Sequence, residues 1–163
     1  LLDQDGAMEA AMVDVNCRAL LQVVHGFGRR LRSQRRGALV LLSSLVAFQG
    51  APYAANYAAT KAYVQTLAEG LRVELAPHGV QVIACAPGPV HTSFAARARM
   101  AMGRALRPEV VARATLARLP GGGTVRPGFA RKLLGLGLAT LPRALRVRVL
   151  GKVMAGFAQG GAR

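Results

Sequence analysis

The sequence has few acidic residues, few aromatic residues and no long apolar run, and each absence narrows its class. Seven aspartates and glutamates stand against 22 lysines and arginines, which gives a net charge of +15. No apolar segment reaches the roughly 18 residues that a membrane-spanning helix needs. Tryptophan is absent, and the basic second part of the chain has only Phe129 and Phe157 for stacking on bases. We therefore do not expect nucleic-acid binding, in spite of the charge.

Cysteine and histidine are also scarce. The two cysteines, Cys17 and Cys85, lack metal-ligand spacing and cannot form a disulfide framework. The three histidines, His25, His78 and His91, are scattered, and none has the spacing of a zinc ligand. We therefore expect no metal site and two small buried thiols in a reducing compartment, which favours a cytoplasmic protein.

The positive charge divides the chain into two parts. Residues 1–96 carry eight lysines and arginines against six acids, whereas residues 97–163 carry fourteen against one. The first part has the composition of a nearly neutral globular sequence, and the second is a basic, apolar tail. The total of 163 residues fits a single domain. We therefore expect one globular unit at 1–96, followed by substrate-side and basic helices at 97–163.

Apolar spacing predicts an alternation of helices and strands in the first part. Helical periodicity covers residues 7–35, and Gly37 ends it. The apolar run at 38–44 is short and bounded by turn signals, as in a strand buried on both faces of a parallel sheet. A helix is predicted at 57–76 and a second buried strand at 80–87. Strand, helix and strand with short links form a βαβ unit.

The second part of the chain gives weaker signals. Residues 108–119 predict a helix with proline in its first turn. The glycine cluster "PGGGTVRPG" at 120–128 predicts a plain loop, because a phosphate cradle needs a strand before it and a helix N-terminus after it. Two short basic amphipathic helices are predicted at 129–141 and 143–157, both weakened by internal glycines.

Three polar side chains after the first predicted strand have spacings that suit acid–base chemistry. Tyr57 and Lys61 lie four residues apart, on one face of a helix. An ammonium beside a phenol favours the phenolate, so we expect a lowered pKa for Tyr57 and proton transfer to or from a substrate oxygen. Ser44 ends the first strand, and ligands of open parallel sheets bind at the carboxyl ends of strands. Its hydroxyl can orient the substrate oxygen there.

In this order and spacing, "GALVLLSS", "YAATK" and "PGPVHTSF" resemble the second half of the short-chain dehydrogenase/reductase superfamily, and "DVN" at 14–16 is similar to that family's helix motif. The resemblance implies an α/β fold, part of a Rossmann-like doubly wound parallel sheet, with basic C-terminal helices. It implies Tyr57 as proton donor, and Lys61 as its partner and as a ligand of the nicotinamide ribose. It further implies Ser44 as the group that orients the carbonyl and Asn16 as the anchor of a proton-relay water. The residues implied to line the cofactor are Tyr57, Lys61, Pro87, Gly88, Val90 and Thr92.

The same resemblance implies an activity and partners. The expected protein is an NAD(P)-dependent oxidoreductase, with NADP favoured, that interconverts a carbonyl and a secondary alcohol on a small hydrophobic substrate. Helices equivalent to those predicted at 7–35 and 57–76 often form a dimer interface in this family, so we expect a homodimer or homotetramer of the full-length form. The glycine-rich turn that opens the family's fold is absent from these residues. Two interpretations stay open: a fragment of a complete reductase, or a truncated, non-catalytic remnant that binds a partner or a membrane.

Two further expectations concern the ends of the sequence. Without upstream strands, the strand at 38–44 is an apolar edge, so we expect that these 163 residues alone do not fold to a stable soluble monomer. The basic tail has three readings that stay open: solvated arginine faces, peripheral contact with an anionic membrane surface, and recognition of a phosphate-bearing substrate such as an acyl-CoA.

Overall fold

The computed structural model of the chain describes residues 1–92, 105–119, 121–128 and 140–160, the last four of them through their backbone. In chain order the main elements are α1 (Gly6–Val13), a π-helical turn (Asp14–Ala19), α2 (Leu20–Gln34), β1 (Gly37–Leu42), α3 (Ala55–Leu75), β2 (Val80–Cys85), α4 (Pro108–Leu116), β3 (Gly123–Val125) and α5 (Arg143–Gly160). Short 3₁₀ turns follow β1 at Leu45–Phe48 and α3 at Ala76–His78.

The three described strands form one parallel sheet in the order β1-β2-β3. β1 pairs with β2 along its whole length, from Gly37 opposite Val80 to Leu42 opposite Cys85. β3 pairs with the other side of β2 over three residues. The predicted α/β fold with a parallel βαβ unit is therefore confirmed, and all three strands end at one edge of the sheet.

The main core lies between one face of the sheet and the helices α2 and α3. Ala84 of β2 faces these helices, whereas the next residue, Cys85, points to the opposite face because side chains alternate along a strand. On that face Thr115 of α4 donates its hydroxyl to the Cys85 sulfur at 3.1 Å. Helices thus contact both faces of the sheet, as the doubly wound arrangement predicts. The buried cluster on the α2–α3 side consists of Val24, Leu41, Val64, Ala68, Leu75, Val80, Val82 and Ala84.

The strand β1 is less buried than the sequence predicts. Its apolar run predicts burial on both faces, yet the Val40 and Leu42 side chains are 39% and 60% exposed. They lie on the face opposite the α2–α3 core, and within the described part of the chain β1 has a neighbouring strand on one side only. The prediction of burial on both faces is therefore wrong for this chain, whereas the expected apolar edge is present.

The segment at 120–128 also differs from its prediction. It contains β3, which pairs in parallel with Ile83–Cys85 of β2, so the prediction of a plain loop is wrong. Gln65 of α3 anchors this strand by donating to the Thr124 hydroxyl at 2.8 Å. Three residues flanked by glycines carry too little periodicity to indicate a strand, and pairing with β2 decides their conformation.

Gly79, just before β2, packs closely against the backbone that leads into β1. Its φ of +68° lies in the left-handed region, and a Cβ at this position would lie 2.6 Å from the backbone oxygen of Arg35. Arg35 caps the end of α2, two residues before β1 begins, and its side chain donates to the Pro77 carbonyl at 3.2 Å. Only glycine combines this backbone conformation with this close approach.

The C-terminal helix α5 packs over the loop that connects β1 to α3. A Cβ at Gly50 would lie 3.7 Å from Val147, and a Cβ at Gly151 would lie 3.1 Å from Pro52. The helix predicted at 143–157 is therefore confirmed, whereas nearly all of the one predicted at 129–141 lies outside the described residues. Across the described ranges, no helix combines the length and the apolar character that crossing a membrane requires.

Candidate active site

The carboxyl ends of β1 and β2 stay joined beyond the sheet. The Ser43 amide donates to the Cys85 carbonyl at 2.7 Å, and the Leu45 amide donates to the Pro87 carbonyl at 3.0 Å. These two bonds hold Ser44 beside the loop that follows β2. Ser44 and that loop therefore border one crevice at the carboxyl edge of the sheet, which is where open parallel sheets bind ligands.

Ser44 and Tyr57 meet across this crevice. The Ser44 hydroxyl accepts from the Val46 amide at 3.4 Å, which caps the 3₁₀ turn, and it is hydrogen-bonded to the Tyr57 side chain. Tyr57 lies in the first turn of α3, and Ser44 is only 9% exposed. The two hydroxyl groups are therefore adjacent and largely shielded from water.

Burial sets the acid–base behaviour of Tyr57. Burial raises the pKa of the phenol above its ordinary value of 10.0, and the hydrogen bond with Ser44 offsets only part of that rise. The Lys61 ammonium lies 5.7 Å from the centre of the Tyr57 ring. The expected lowering of the Tyr57 pKa by Lys61 is therefore wrong for this structure, because desolvation outweighs the stabilisation of the phenolate.

Lys61 is directed toward the end of β1. Its ammonium donates to the Leu42 carbonyl at 3.0 Å, and the Ser43 hydroxyl donates to the Lys61 carbonyl at 3.1 Å. Burial lowers the pKa of this ammonium, and the nearby Cys17 thiol opposes the shift. The side chain is thus held between the strand and the helix, with one of its three N–H donors occupied by a described acceptor.

Asn16 reaches the site through Thr60. Its amide donates to the Thr60 hydroxyl at 3.1 Å, and that hydroxyl donates to the Tyr57 carbonyl at 2.9 Å. Asn16 lies in the π-helical turn, an irregularity that often marks functional positions in helices. The sequence pattern points to Asn16 but not to Thr60, whose only signal is its position one turn after Tyr57.

The residues expected to line a cofactor follow β2 in a short, partly exposed loop. Pro87, Gly88 and Val90 are half-buried, and Thr92 is exposed. Val90 forms a β-bridge with Leu106, and the amide after Val90 donates to the Leu106 carbonyl at 2.9 Å. The loop is therefore anchored at the same edge of the sheet as Ser44 and Tyr57.

The donor groups of this edge suit the nicotinamide end of a dinucleotide. The Lys61 ammonium keeps N–H donors beyond the one given to Leu42, and the Tyr57 phenol is neutral. These are groups that can bind ribose hydroxyls. The sequence lacks the glycine-rich turn that would bind the pyrophosphate, so these residues fit only one end of such a cofactor.

The side chains that could bind a metal ion in the described ranges are those of histidine, cysteine, aspartate and glutamate. No three histidine, cysteine, aspartate or glutamate side chains cluster within the described ranges. Both cysteines are free thiols, with Cys85 buried and Cys17 only half-buried. The prediction of two buried thiols is therefore confirmed for Cys85 and only in part for Cys17, which lies close enough to Lys61 to affect its pKa.

Comparison with known proteins identifies the family. Residues 3–103 match the short chain dehydrogenase family. The chain belongs to this family. Over 106 residues it is 34% identical to an uncharacterized oxidoreductase of Staphylococcus aureus strain MW2, covering 65% of this chain and 46% of that protein. The chain thus spans about half the length of the curated relatives that it matches.

Solved structures of this family resemble the fold as well. A short chain dehydrogenase from Burkholderia cenocepacia, in complex with NADP, has a TM-score of 0.78 and 32% identity. The match covers 90% of this chain and 61% of that one. A short-chain dehydrogenase from Sphingobium yanoikuyae, in complex with NADPH, has a TM-score of 0.72 and 26% identity, covering 85% and 57%. The chain therefore shares the Rossmann-type architecture of short-chain dehydrogenases.

Proposed function

We propose that this chain is the substrate-facing part of an NAD(P)-dependent oxidoreductase that interconverts a carbonyl and a secondary alcohol. The observation that carries the proposal is the hydrogen-bonded pair of Ser44 and Tyr57 at the carboxyl edge of the sheet, with Lys61 one helical turn away. Membership of the short chain dehydrogenase family supports the same reaction class. The proposed substrate is small and hydrophobic.

In the direction of reduction, Tyr57 gives a proton to the carbonyl oxygen. Its raised pKa keeps the phenol protonated at neutral pH, so the proton is available when the substrate binds. The Ser44 hydroxyl lies beside the phenol and donates a hydrogen bond that orients the same oxygen. In the direction of oxidation, Tyr57 takes the proton of the alcohol.

Lys61 and Asn16 support the proton transfer from either side of Tyr57. The Lys61 ammonium favours the phenolate once the proton has left, and its remaining donors would hold the ribose of the cofactor. The Thr60 hydroxyl, which also bonds the Tyr57 carbonyl, holds the Asn16 side chain, and Asn16 would anchor a water that returns a proton to the Tyr57 phenolate. A bound nicotinamide dinucleotide supplies or accepts the hydride. The cofactor-lining residues that we propose are Pro87, Gly88, Val90 and Thr92, together with Tyr57 and Lys61.

Among the two forms of the cofactor we propose NADP. The Burkholderia and Sphingobium relatives were solved with NADP and NADPH respectively, and both share more than a quarter of their aligned residues with this chain. The residues that select between the two forms lie in the first half of this fold, which these residues do not include. The support therefore comes from relatives rather than from a contact within the chain.

We propose a homodimer or homotetramer for the full-length protein. On α2, Val23 and Phe27 are 55% and 56% exposed and lie on one open face of the helix, beside Gln22, Gly26 and Arg30. An apolar helix face of this kind is typical of an interaction surface.

The decisive test is Tyr57→Phe in the full-length gene product. Removing the phenolic hydroxyl deletes the proton donor, and we expect kcat for ketone reduction to fall by roughly 10²- to 10⁴-fold. Tyr63→Phe, on the same helix and 37% exposed, is the matched control and should keep full activity. Retained activity in Tyr57→Phe would refute the assigned role.

A second candidate is a truncated, non-catalytic remnant that binds a partner or a membrane. One observation favours it: α5 exposes Leu145 and Val153 close to Arg148 and Lys152. Peripheral membrane contact through this helix stays a prediction. A gene product that has no upstream glycine-rich segment and reduces no ketone would favour this candidate over the reductase.

A further inference from the structure

Arg126 lies at the crevice edge of the sheet. It directly follows β3, and the preceding residue accepts a hydrogen bond from the Ala86 amide at 2.8 Å. The guanidinium carbon of Arg126 lies 4.1 Å from the centre of the Phe48 ring, which is a stacking distance. Phe48 ends the 3₁₀ turn that Ser44 caps, which places it roughly 8 Å along the chain from Ser44 at about 2 Å per residue. The Arg126 side chain therefore packs on the 3₁₀ turn that begins after Ser44.

The guanidinium of Arg126 has donors without an acceptor among the residues that the structure describes. Its Nε is buried and has no hydrogen-bond partner, and none of the described carboxylates forms an ion pair with it. Stacking on Phe48 occupies the face of the guanidinium and leaves its N–H groups pointing outward in the plane. The Nε itself is shielded, but the two terminal Nη groups also make no hydrogen bond with a described residue, and a ligand with a pair of acceptor oxygens can bind that end of the guanidinium.

A cavity beside Arg126 offers space for such a ligand. It has a volume of about 360 Å³ and is bounded by the carboxyl end of α4, by the turn after that helix, which includes Arg118, and by residues 124–128. Its lining includes two arginines and no acid, and the only acidic residue after position 96 is Glu109. An unneutralised pair of guanidinium groups favours an anion, and the planar fork of arginine matches carboxylate and phosphate oxygens.

We propose that Arg126 and Arg118 form an anion-binding site that takes a carboxylate or a phosphate group. The anion has two sources: it is part of the carbonyl substrate, or it is a free anion that binds beside the substrate. The substrate-borne source rests on the proposed reductase function, whereas the site itself does not. Arg126 supplies the bidentate contact, and the more exposed Arg118 adds positive charge on the opposite wall of the cavity.

The first experiment measures anion binding without catalysis. Inorganic phosphate is titrated into the full-length gene product by calorimetry at constant ionic strength, for the wild type, Arg126→Met and the control Arg113→Met. Arg113 is an exposed arginine on α4, so its variant loses the same charge away from the cavity. We expect affinity to fall about tenfold or more in Arg126→Met and to stay within about twofold in Arg113→Met. Phosphate bound elsewhere is common to all three proteins and cancels in the comparison.

A conservative variant keeps this test decisive if Arg126→Met is poorly folded. Arg126→Lys retains the charge over Phe48 but lacks the planar fork, so we expect it to recover only part of the affinity. Full recovery with lysine would overturn the bidentate contact. Equal phosphate affinity in the wild type, Arg126→Met and Arg113→Met, or no binding of phosphate to the wild type, would overturn the site.

The second experiment identifies the source of the anion. A ketone with a terminal carboxylate is compared with its neutral methyl ester as substrate of the wild type and of Arg126→Met. A substrate-borne anion predicts that the variant raises KM about tenfold for the acid only. If acid and ester react equally well while phosphate binding depends on Arg126, the site takes a free anion. If neither ketone is reduced, the proposed reductase function fails, and the phosphate titration still decides the site.

Discussion

The ionisable side chains of the site are shifted by burial toward their neutral forms. The pKa of the Tyr57 phenol is raised and that of the Lys61 ammonium is lowered, and desolvation is the larger cause in both. A neutral phenol beside a serine hydroxyl suits a group that gives a proton to a carbonyl oxygen. The same burial opposes the phenolate, so the reverse reaction depends on the ammonium one turn away.

The raised pKa of Tyr57 predicts that its phenol ionises at a higher pH than an ordinary tyrosine. Because burial favours the neutral phenol, Tyr57 should stay protonated at pH 10.0, the ordinary pKa of a tyrosine, and ionise only at higher pH. Ultraviolet difference spectra of the cofactor-free, full-length protein measure this, since phenolate absorbs where phenol does not. Subtracting the titration of Tyr57→Phe isolates this side chain from the other tyrosines of the protein. A Tyr57 signal that appears below pH 10 would contradict the dominance of burial.

The bond between Asn16 and Thr60 gives a second prediction at this scale. Thr60→Val keeps the shape of a side chain that is 3% exposed but removes the acceptor of the Asn16 amide. We expect the free energy of unfolding to fall by about 1 kcal/mol and kcat to fall more than KM rises, because Asn16 loses its position. Thr66→Val, on an exposed turn of the same helix, should change neither. Urea unfolding and steady-state kinetics of the full-length protein check both effects.

At the scale of elements, the strongly periodic segments were predictable and the short ones were not. The helix predicted at 7–35 extends over Gly6–Gln34, but its spacing does not reveal the π-helical turn at Asp14–Ala19. The helix predicted at 57–76 begins two residues earlier, at Ala55. β3 was missed because its conformation depends on pairing with β2 rather than on its own residues.

Some contacts of the candidate site were likewise predictable from the sequence, and others were not. The meeting of Ser44 and Tyr57 follows from the βαβ connection, because Ser44 ends the first strand and the helix that carries Tyr57 begins at the same edge of the sheet. The direction of Lys61 toward the Leu42 carbonyl depends on packing between α3 and β1, and it has no signature in the sequence. The stacking of Arg126 on Phe48 joins segments far apart in the chain, so only the folded structure reveals it.

Two glycine-to-alanine substitutions, one in the turn before β2 and one within α3, test the backbone strain at Gly79. Gly79→Ala places a Cβ about 2.6 Å from a backbone oxygen at a positive φ, so we expect a loss of roughly 1–3 kcal/mol in the free energy of unfolding. Gly70→Ala, within α3, meets only the end of the Glu74 side chain at 4.0 Å and should gain about 0.5–1 kcal/mol from helix propensity. Equal effects of the two substitutions in denaturant unfolding of the full-length protein would contradict the strain at Gly79.

At the scale of the whole molecule, the open side of β1 is the dominant feature. No described strand pairs with that side, and Val40 and Leu42 expose apolar surface next to it. An edge of this kind pairs readily with other chains. Stability and assembly therefore depend on what covers this edge.

The isolated 163 residues should not behave as a stable monomer. We expect no cooperative thermal transition of a monomer in calorimetry, and concentration-dependent association in sedimentation velocity, because the β1 edge is open. Val40→Lys places a charge on this edge and should reduce the association. A sharp, reversible transition of the monomeric wild-type chain would show that the described sheet is sufficient by itself.

The π-helical turn at Asp14–Ala19 determines how α1 and α2 are rotated relative to each other about their common helix axis. Before the turn, the Glu9 carbonyl accepts from the Asn56 amide of α3 at 3.0 Å; after it, Val24 and Leu31 pack into the core beneath the sheet. Each residue of an α-helix adds about 100° of rotation, so one extra residue in the turn offsets the halves by about that angle. Deleting a single residue here would rotate one half of the helix relative to the other by about 100°. The segment would stay helical, but it could satisfy the contacts of only one half, and Asn16 would lose its alignment with Thr60.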